Sequence, residues 1–362
     1  MIKVLVVDDL GFMRIALRQI IEAEGDLTVV GQARNGVEAV EMAETLKPDV
    51  ITMDIEMPEM DGIEATKRIM GFANPPPIVM VSSHTQEGAE STIRALRGGA
   101  VDFVSKSSSF TQNDLGQINK ELRPKLRQWA GQRPRRQLPT PVPVKGKALE
   151  PTQDNGRTLD TARTGEGADL IVIGVSTGGP QTLPRLLMAM GPVPVPIVIA
   201  QHMPEFFTRS MAEFLGQETG LNVFEAASGV QVGPGAVAVL KGGRDWMVAP
   251  KADGFVVRGA SAPGTVHPSV DTLFRSAALA ARRPIAVILT GMGDDGTEGA
   301  SHFHRRGLPV LVQTPETCVV GGMPSAAIEA GHASHVLSIE ALASRLSRWA
   351  KSNRIQTSAS VS

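Results

Sequence analysis

The sequence predicts an α/β protein made of two doubly wound parallel-sheet domains. Three observations carry that expectation. Short apolar runs alternate with amphipathic stretches over the first 125 residues. The same alternation resumes at Asp169 after a polar interruption. A chain of 362 residues also has room for about two domains at roughly 150 residues each. Brief apolar runs between helices are the mark of parallel strands covered on both faces.

The first block, residues 1–125, has its apolar runs at 2–7, 27–31, 49–53, 77–81 and 101–104. Helical stretches lie between them at 13–24, 36–46 and 87–97. Residues 126–167 then lose apolar periodicity and gain prolines, so they read as a flexible linker that cannot bury enough surface to offset ordering entropy. Its cluster of Arg133, Arg135 and Arg136 reads as solvated charge. The second block, 168–352, carries the strand-like runs LIVIGVS, VPIVIAQH, AVAVL, IAVILTG and PVLVQ. Helices are expected at 181–190, 206–219, 270–281 and 339–351, and the polar tail 353–362 is expected to fray.

Composition narrows the function classes. Basic and acidic residues number 36 and 37, and this balance counts against a nucleic-acid binder, which needs a basic face. A single cysteine excludes an intramolecular disulfide and a cysteine-based zinc cage. Asp8 and Asp9 cut the N-terminal apolar run too short for a signal peptide, and no run approaches the ~18 residues of a membrane span. The expectation is a cytoplasmic, monomeric protein without membrane insertion.

Ligands of doubly wound sheets sit beyond the carboxyl ends of the strands. In the first block those ends carry Asp8 and Asp9, Asp54, Ser82 and Lys106. Any one Asp could be a helix cap. Five polar groups on one rim fit a different chemistry: a hard cation such as Mg²⁺ on clustered carboxylates, with a lysine to neutralise a phosphoryl group. The motifs VLVVDD, MDIEMPEMDG, VMVSSHT and DFVSK resemble those of a two-component response-regulator receiver domain, which has a flavodoxin-like fold. The resemblance implies that Asp54 is phosphorylated. It places Mg²⁺ on Asp8, Asp9, Asp54 and the carbonyl of Glu56, and it puts Ser82 and Lys106 on the phosphoryl oxygens. Phe103 matches the aromatic that moves on activation, while Ser107 stands where the family usually has proline.

The second block places Ser176 inside Gly174-x-Ser176-x-Gly178 just after a strand. Two readings fit this turn: an exposed nucleophile, or an anion-binding Gly-rich loop. Other strand ends favour the nucleophile, since His202 closes the second strand and Asp294 and Asp295 follow another. Cys318 sits in an apolar context with no base beside it. The motifs IGVSTGGP, AQHMPEFFT, HPSVDTLFRSA, ILTGMGDDGTEG and GGMPSAAIEAG resemble the catalytic domain of the chemotaxis protein-glutamate methylesterase family, a Rossmann-like fold. The resemblance implies a Ser176–His202–Asp295 triad, with Asp294 as the alternative carboxylate and the Met292 amide near an oxyanion hole. Val266, His267 and Asp245 depart from the family's usual residues.

The implied activity is hydrolysis of glutamyl methyl esters on chemoreceptors and deamidation of receptor glutamines, with no cofactor for the esterase step. A chemotaxis-type sensor histidine kinase is the implied phosphodonor. The unphosphorylated receiver is expected to cover the Ser176 rim. Two other classes, a receiver tied to DNA-binding output and a nucleotide-binding module built on GVSTGGP, remain as alternatives.

Overall fold

The computed structural model describes residues 1–83, 85–106, 112–130, 167–261 and 266–352. Ser107, the linker from 131 to 166 with its three arginines, and the tail 353–362 lie outside the described residues. The chain divides into two compact units, Met1–Arg157 and Thr158–Ser362.

In the first unit five strands, β1 (Ile2–Val7), β2 (Leu27–Ala33), β3 (Val50–Asp54), β4 (Ile78–Ser83) and β5 (Asp102–Lys106), alternate with α1 (Gly11–Glu22), α2 (Gly36–Leu46), α3 (Gly62–Met70), α4 (Gln86–Arg97) and α5 (Gln112–Trp129). The strand order is β2-β1-β3-β4-β5, and every pair is parallel. This is the flavodoxin-like order, with its switch point between β1 and β3. All five residues of β3 are buried, as a strand covered on both faces requires. Side-chain caps start the helices: Asn35, Asp61 and Thr85 each accept the amide three residues on.

A boundary at residue 125 falls inside α5, which continues to Trp129 with Leu126 and Trp129 buried. The cause is a polar anchor on β5. Buried Asp102 accepts Lys125 Nζ at 3.0 Å and Trp129 Nε1 at 3.3 Å, so the last turn of α5 belongs to this unit.

The second unit contains β6 (Leu170–Val175), α6 (Gly179–Met190), β7 (Ile197–Gln201), α7 (Phe207–Thr219), β8 (Asn222–Ala226), β9 (Gln231–Val232), β10 (Ala236–Leu240), β11 (Asp245–Lys251), β12 (Gly254–Ala260), α8 (Val270–Ala280), β13 (Pro284–Ile288), α9 (Thr297–Arg305), β14 (Val310–Gln313), α10 (Gly322–Glu329), β15 (His335–Leu337) and α11 (Ile339–Lys351). Seven strands form a parallel sheet in the order β15-β14-β13-β6-β7-β10-β8. The chain runs outward from β6 to one side and returns to build the other, so the switch point lies at β6 and β13. A small antiparallel sheet, β11-β12-β9, adds a layer that the expected all-parallel pattern did not contain. Trp246, Val248, Phe255 and Val257 of its hairpin pack into the main core.

Candidate active site and phosphoacceptor rim

Each unit carries its reactive side chains at its switch point. In the first, Asp8, Asp9 and Asp54 bring one carboxylate oxygen each within 4.8 Å of one another. Lys106 Nζ lies 2.8 Å from Asp8 Oδ2 and 2.7 Å from Asp54 Oδ2. The contact with Asp8 is an ion contact, without the angle of a directed hydrogen bond. Asp54 also accepts the Ile55 amide at 2.8 Å. Burial pushes the Asp54 carboxyl up to about 6; the lysine opposes this and the Asp8 charge adds to it. For Lys106 burial acts the other way, but the two carboxylates outweigh it and hold the ammonium above its ordinary value.

Ser82 is buried, and its hydroxyl donates to the Gly88 carbonyl at 3.1 Å. Phe103 is buried on β5, and Lys125 Nζ sits 5.3 Å from its ring centre. Glu56 is exposed and, with Asp9, lines a cleft of about 460 Å³. The donor set of three carboxylates fits a hard divalent cation.

In the second unit, parallel register pairs Val175 with Gln201, and the His202 amide bonds the Val175 carbonyl at 3.0 Å. Ser176 and His202 therefore follow paired residues at the ends of neighbouring strands. His202 Nε2 lies 2.7 Å from Asp295 Oδ2, and the imidazole is only 8% exposed. Asp295 also accepts the amides of Val270 at 2.8 Å and Asp271 at 2.9 Å. Those bonds require a carboxylate acceptor, so Nε2 carries the proton and Nδ1 is left as the basic nitrogen. Burial opposes ionisation of Asp295, but the His202 hydrogen bond and charge, with the two amides, hold its carboxyl below the usual range. Asp294 is exposed, and its main-chain carbonyl accepts Thr297 N at 3.0 Å. The geometry thus joins His202 to Asp295 and leaves Asp294 outside.

The Ser176 turn is fixed from both sides by residues that the motif reading passed over. Gln201 Nε2 donates to the carbonyls of Ser176 at 2.9 Å and His202 at 3.1 Å. Thr290, fully buried, donates to the Thr177 carbonyl at 2.8 Å, and its own carbonyl accepts Ser176 N at 3.0 Å. Gly178 starts α6 at φ 84°, where a side chain would be strained. A Cβ on Gly179 would fall 1.8 Å from Gln201 Oε1, so the clamp itself demands glycine. Gln201 could have been suspected as a polar residue ending an otherwise apolar run. Met292 follows Gly291, whose amide bonds Val320; the Met292 amide has no hydrogen-bond partner among the described residues. Cys318 is set apart: burial, then the Glu316 charge, pushes its thiol up to about 12.

Such an arrangement defines a receiver domain joined to a hydrolase-type α/β domain. Residues 4–117 match the response regulator receiver domain family and residues 171–346 match the CheB methylesterase family. The chain is 44% identical over 342 residues to a protein-glutamate methylesterase/protein-glutamine glutaminase of Thermotoga maritima, covering 93% of this chain and 95% of that protein. It is 37% identical over 365 residues to the protein of that name from Bacillus subtilis, covering 98% and 100%. It is also similar to the crystal structure of the Thermotoga maritima CheB methylesterase catalytic domain, at 38% identity and a TM-score of 0.47 over 50% of this chain and 97% of that one. The chain belongs to the protein-glutamate methylesterase/protein-glutamine glutaminase family.

Proposed function

We propose that this chain hydrolyses glutamyl methyl esters and deamidates glutamines on chemoreceptors, under control of phosphorylation at Asp54. The observation that carries the reading is the His202–Asp295 contact beside the serine turn at the β6 switch point. His202 Nδ1 takes the Ser176 proton as the hydroxyl attacks the side-chain carbonyl. Asp295 stabilises the imidazolium that forms. The Met292 amide donates to the oxyanion of the tetrahedral intermediate, an interaction worth about 3 kcal/mol in comparable sites. The imidazolium then protonates the departing methanol or ammonia. Water, activated by the same nitrogen, releases the glutamate carboxylate and restores the serine.

In the receiver, Asp8, Asp9, Asp54 and the Glu56 carbonyl would hold Mg²⁺, which supplies neutralising charge for the phosphoryl group. Lys106 supplies a second positive charge, and Ser82 reaches a phosphoryl oxygen once its bond to Gly88 is exchanged. A sensor histidine kinase serves as phosphodonor. Methanol release from a methylated receptor fragment, measured with and without a phosphodonor, tests the whole reading. It requires activity that rises on phosphorylation and disappears in Ser176→Ala with the fold intact. Phosphodonor-independent release would remove the regulatory half.

A further inference from the structure

A second histidine–aspartate pair stands beside the triad and takes no part in the chemistry above. His267 Nδ1 lies 2.9 Å from Asp245 Oδ1. The aspartate side chain is 2% exposed, while the imidazole is 31% exposed. Asp245 Oδ1 also accepts the Ser269 amide at 2.7 Å, so this oxygen acts as the acceptor and Nδ1 as the donor. A buried carboxylate is costly unless paired, and here it spends its charge on fixing a ring that stays open to solvent. His267 Nε2 has no hydrogen-bond partner among the described residues.

Both neighbours of this pair lead straight to the triad. The His267 carbonyl accepts the Met203 amide at 3.4 Å, one residue beyond His202. Ser269, whose amide is held by Asp245, places its hydroxyl 3.5 Å from Asp295 Oδ1. The ring therefore stands at the rim of the serine site, with its orientation fixed from below. We propose that His267 is a substrate-positioning residue: its Nε2 accepts an N–H from the receptor polypeptide around the target side chain, and Asp245 holds the tautomer and angle that make this possible. The inference rests on the esterase reading.

Steady-state methanol release by the full chain, activated with a small acyl phosphate, supplies the test. Labelling of Ser176 by a small fluorophosphonate, which lacks any polypeptide, supplies the control. His267→Ala should raise KM about tenfold, the loss of one hydrogen bond, with kcat within about twofold. His267→Gln, which keeps an acceptor, should recover part of the loss. The fluorophosphonate labelling rate should match wild type in both variants. An unchanged KM in His267→Ala would overturn the proposal. So would a parallel fall in kcat and labelling, because that marks a support for the triad and not a substrate contact. Failure of the wild type to release methanol would sink the esterase reading itself, and this inference with it.

Discussion

Asp271 and Asp295 cap one another's helices. Asp295 accepts the Val270 and Asp271 amides at the start of α8, at 2.8 and 2.9 Å. Asp271, from the first turn of α8, accepts Gly296 and Gly299 amides at 2.9 and 2.6 Å at the start of α9. Two helix N-termini thus converge on two carboxylates, and each end favours negative charge. The carboxylates also repel. The charge settles on Asp295, which faces His202, while burial and the Asp295 charge push Asp271 up to about 7. Asp295, the proposed orienting carboxylate, is therefore also part of a structural joint between helices.

A pH signature follows from Asp271. Its folded value is raised above the ordinary 3.8, so its stabilising contribution is complete below that value and is lost as pH rises through about 7. Asp271→Asn keeps an acceptor for the two amides but cannot ionise. Thermal melts of wild type and variant at pH 5 and pH 8 should show the variant gaining relative to wild type by about 2–4 °C at the higher pH. A constant difference across that range would mean that Asp271 does not hold the proton.

The two adjacent aspartates should separate sharply. Asp295→Asn replaces a carboxylate that accepts through both oxygens by an amide with one acceptor and one donor, so Nε2–H of His202 is no longer held in place by charge, and methanol release should fall about 10³- to 10⁴-fold in kcat. It should also cost about 1 kcal/mol of stability through the weakened cap on α8. Asp294→Asn touches an exposed side chain and should leave kcat within about twofold. Equal losses in the two variants would reassign the orienting group.

Much of this was legible from residue patterns, for reasons that can be named. Apolar runs such as VLVV at 4–7 and LIVIGV mark parallel strands because burial on both faces excludes polar residues. The strand-end positions of Asp54, Ser176 and His202 follow directly from those runs. The antiparallel hairpin was hidden because Asp245–Lys251 and Gly254–Ala260 mix buried and exposed residues, with Pro250 interrupting the pattern. The extension of α5 was hidden because its anchor, Asp102 to Lys125 and Trp129, spans more than twenty residues. Asp271 acts through amides more than twenty residues away, which no local pattern announces, whereas Gln201 left only the weak signal of a polar residue closing an apolar run.

Gln201 offers a test of how firmly the nucleophile turn must be held. Gln201→Leu removes the donor shared by the Ser176 and His202 carbonyls, leaving Ser176 with the Gly179 amide alone and His202 without this bond. Stability should drop by about 1–3 kcal/mol. Because the clamp joins the proposed nucleophile and base, kcat should fall about 10- to 100-fold, as loss of alignment typically costs. Denaturant melts and methanol release at saturating receptor fragment check both effects. A variant that loses stability but keeps kcat would make Gln201 a fold residue alone.

The receiver predicts a pH-dependent response to Mg²⁺. Three carboxylates share one rim with a single lysine, so a bound cation should stabilise the folded chain in proportion to its affinity. Protons compete for the same oxygens. With Asp54 pushed up to about 6, the carboxylate becomes more fully ionised as pH rises through that value, and cation binding strengthens. Addition of Mg²⁺ should therefore raise the melting temperature of the receiver transition more at pH 8 than at pH 5.5. Asp9→Asn removes a ligand without disturbing the Lys106 contacts and should shrink the shift at both pH values. Lys106→Met leaves buried Asp8 and Asp54 without their cation, so it should melt lower than wild type in the absence of Mg²⁺. Mg²⁺ should then restore part of that loss, and an equal shift in wild type and Asp9→Asn would place the cation elsewhere.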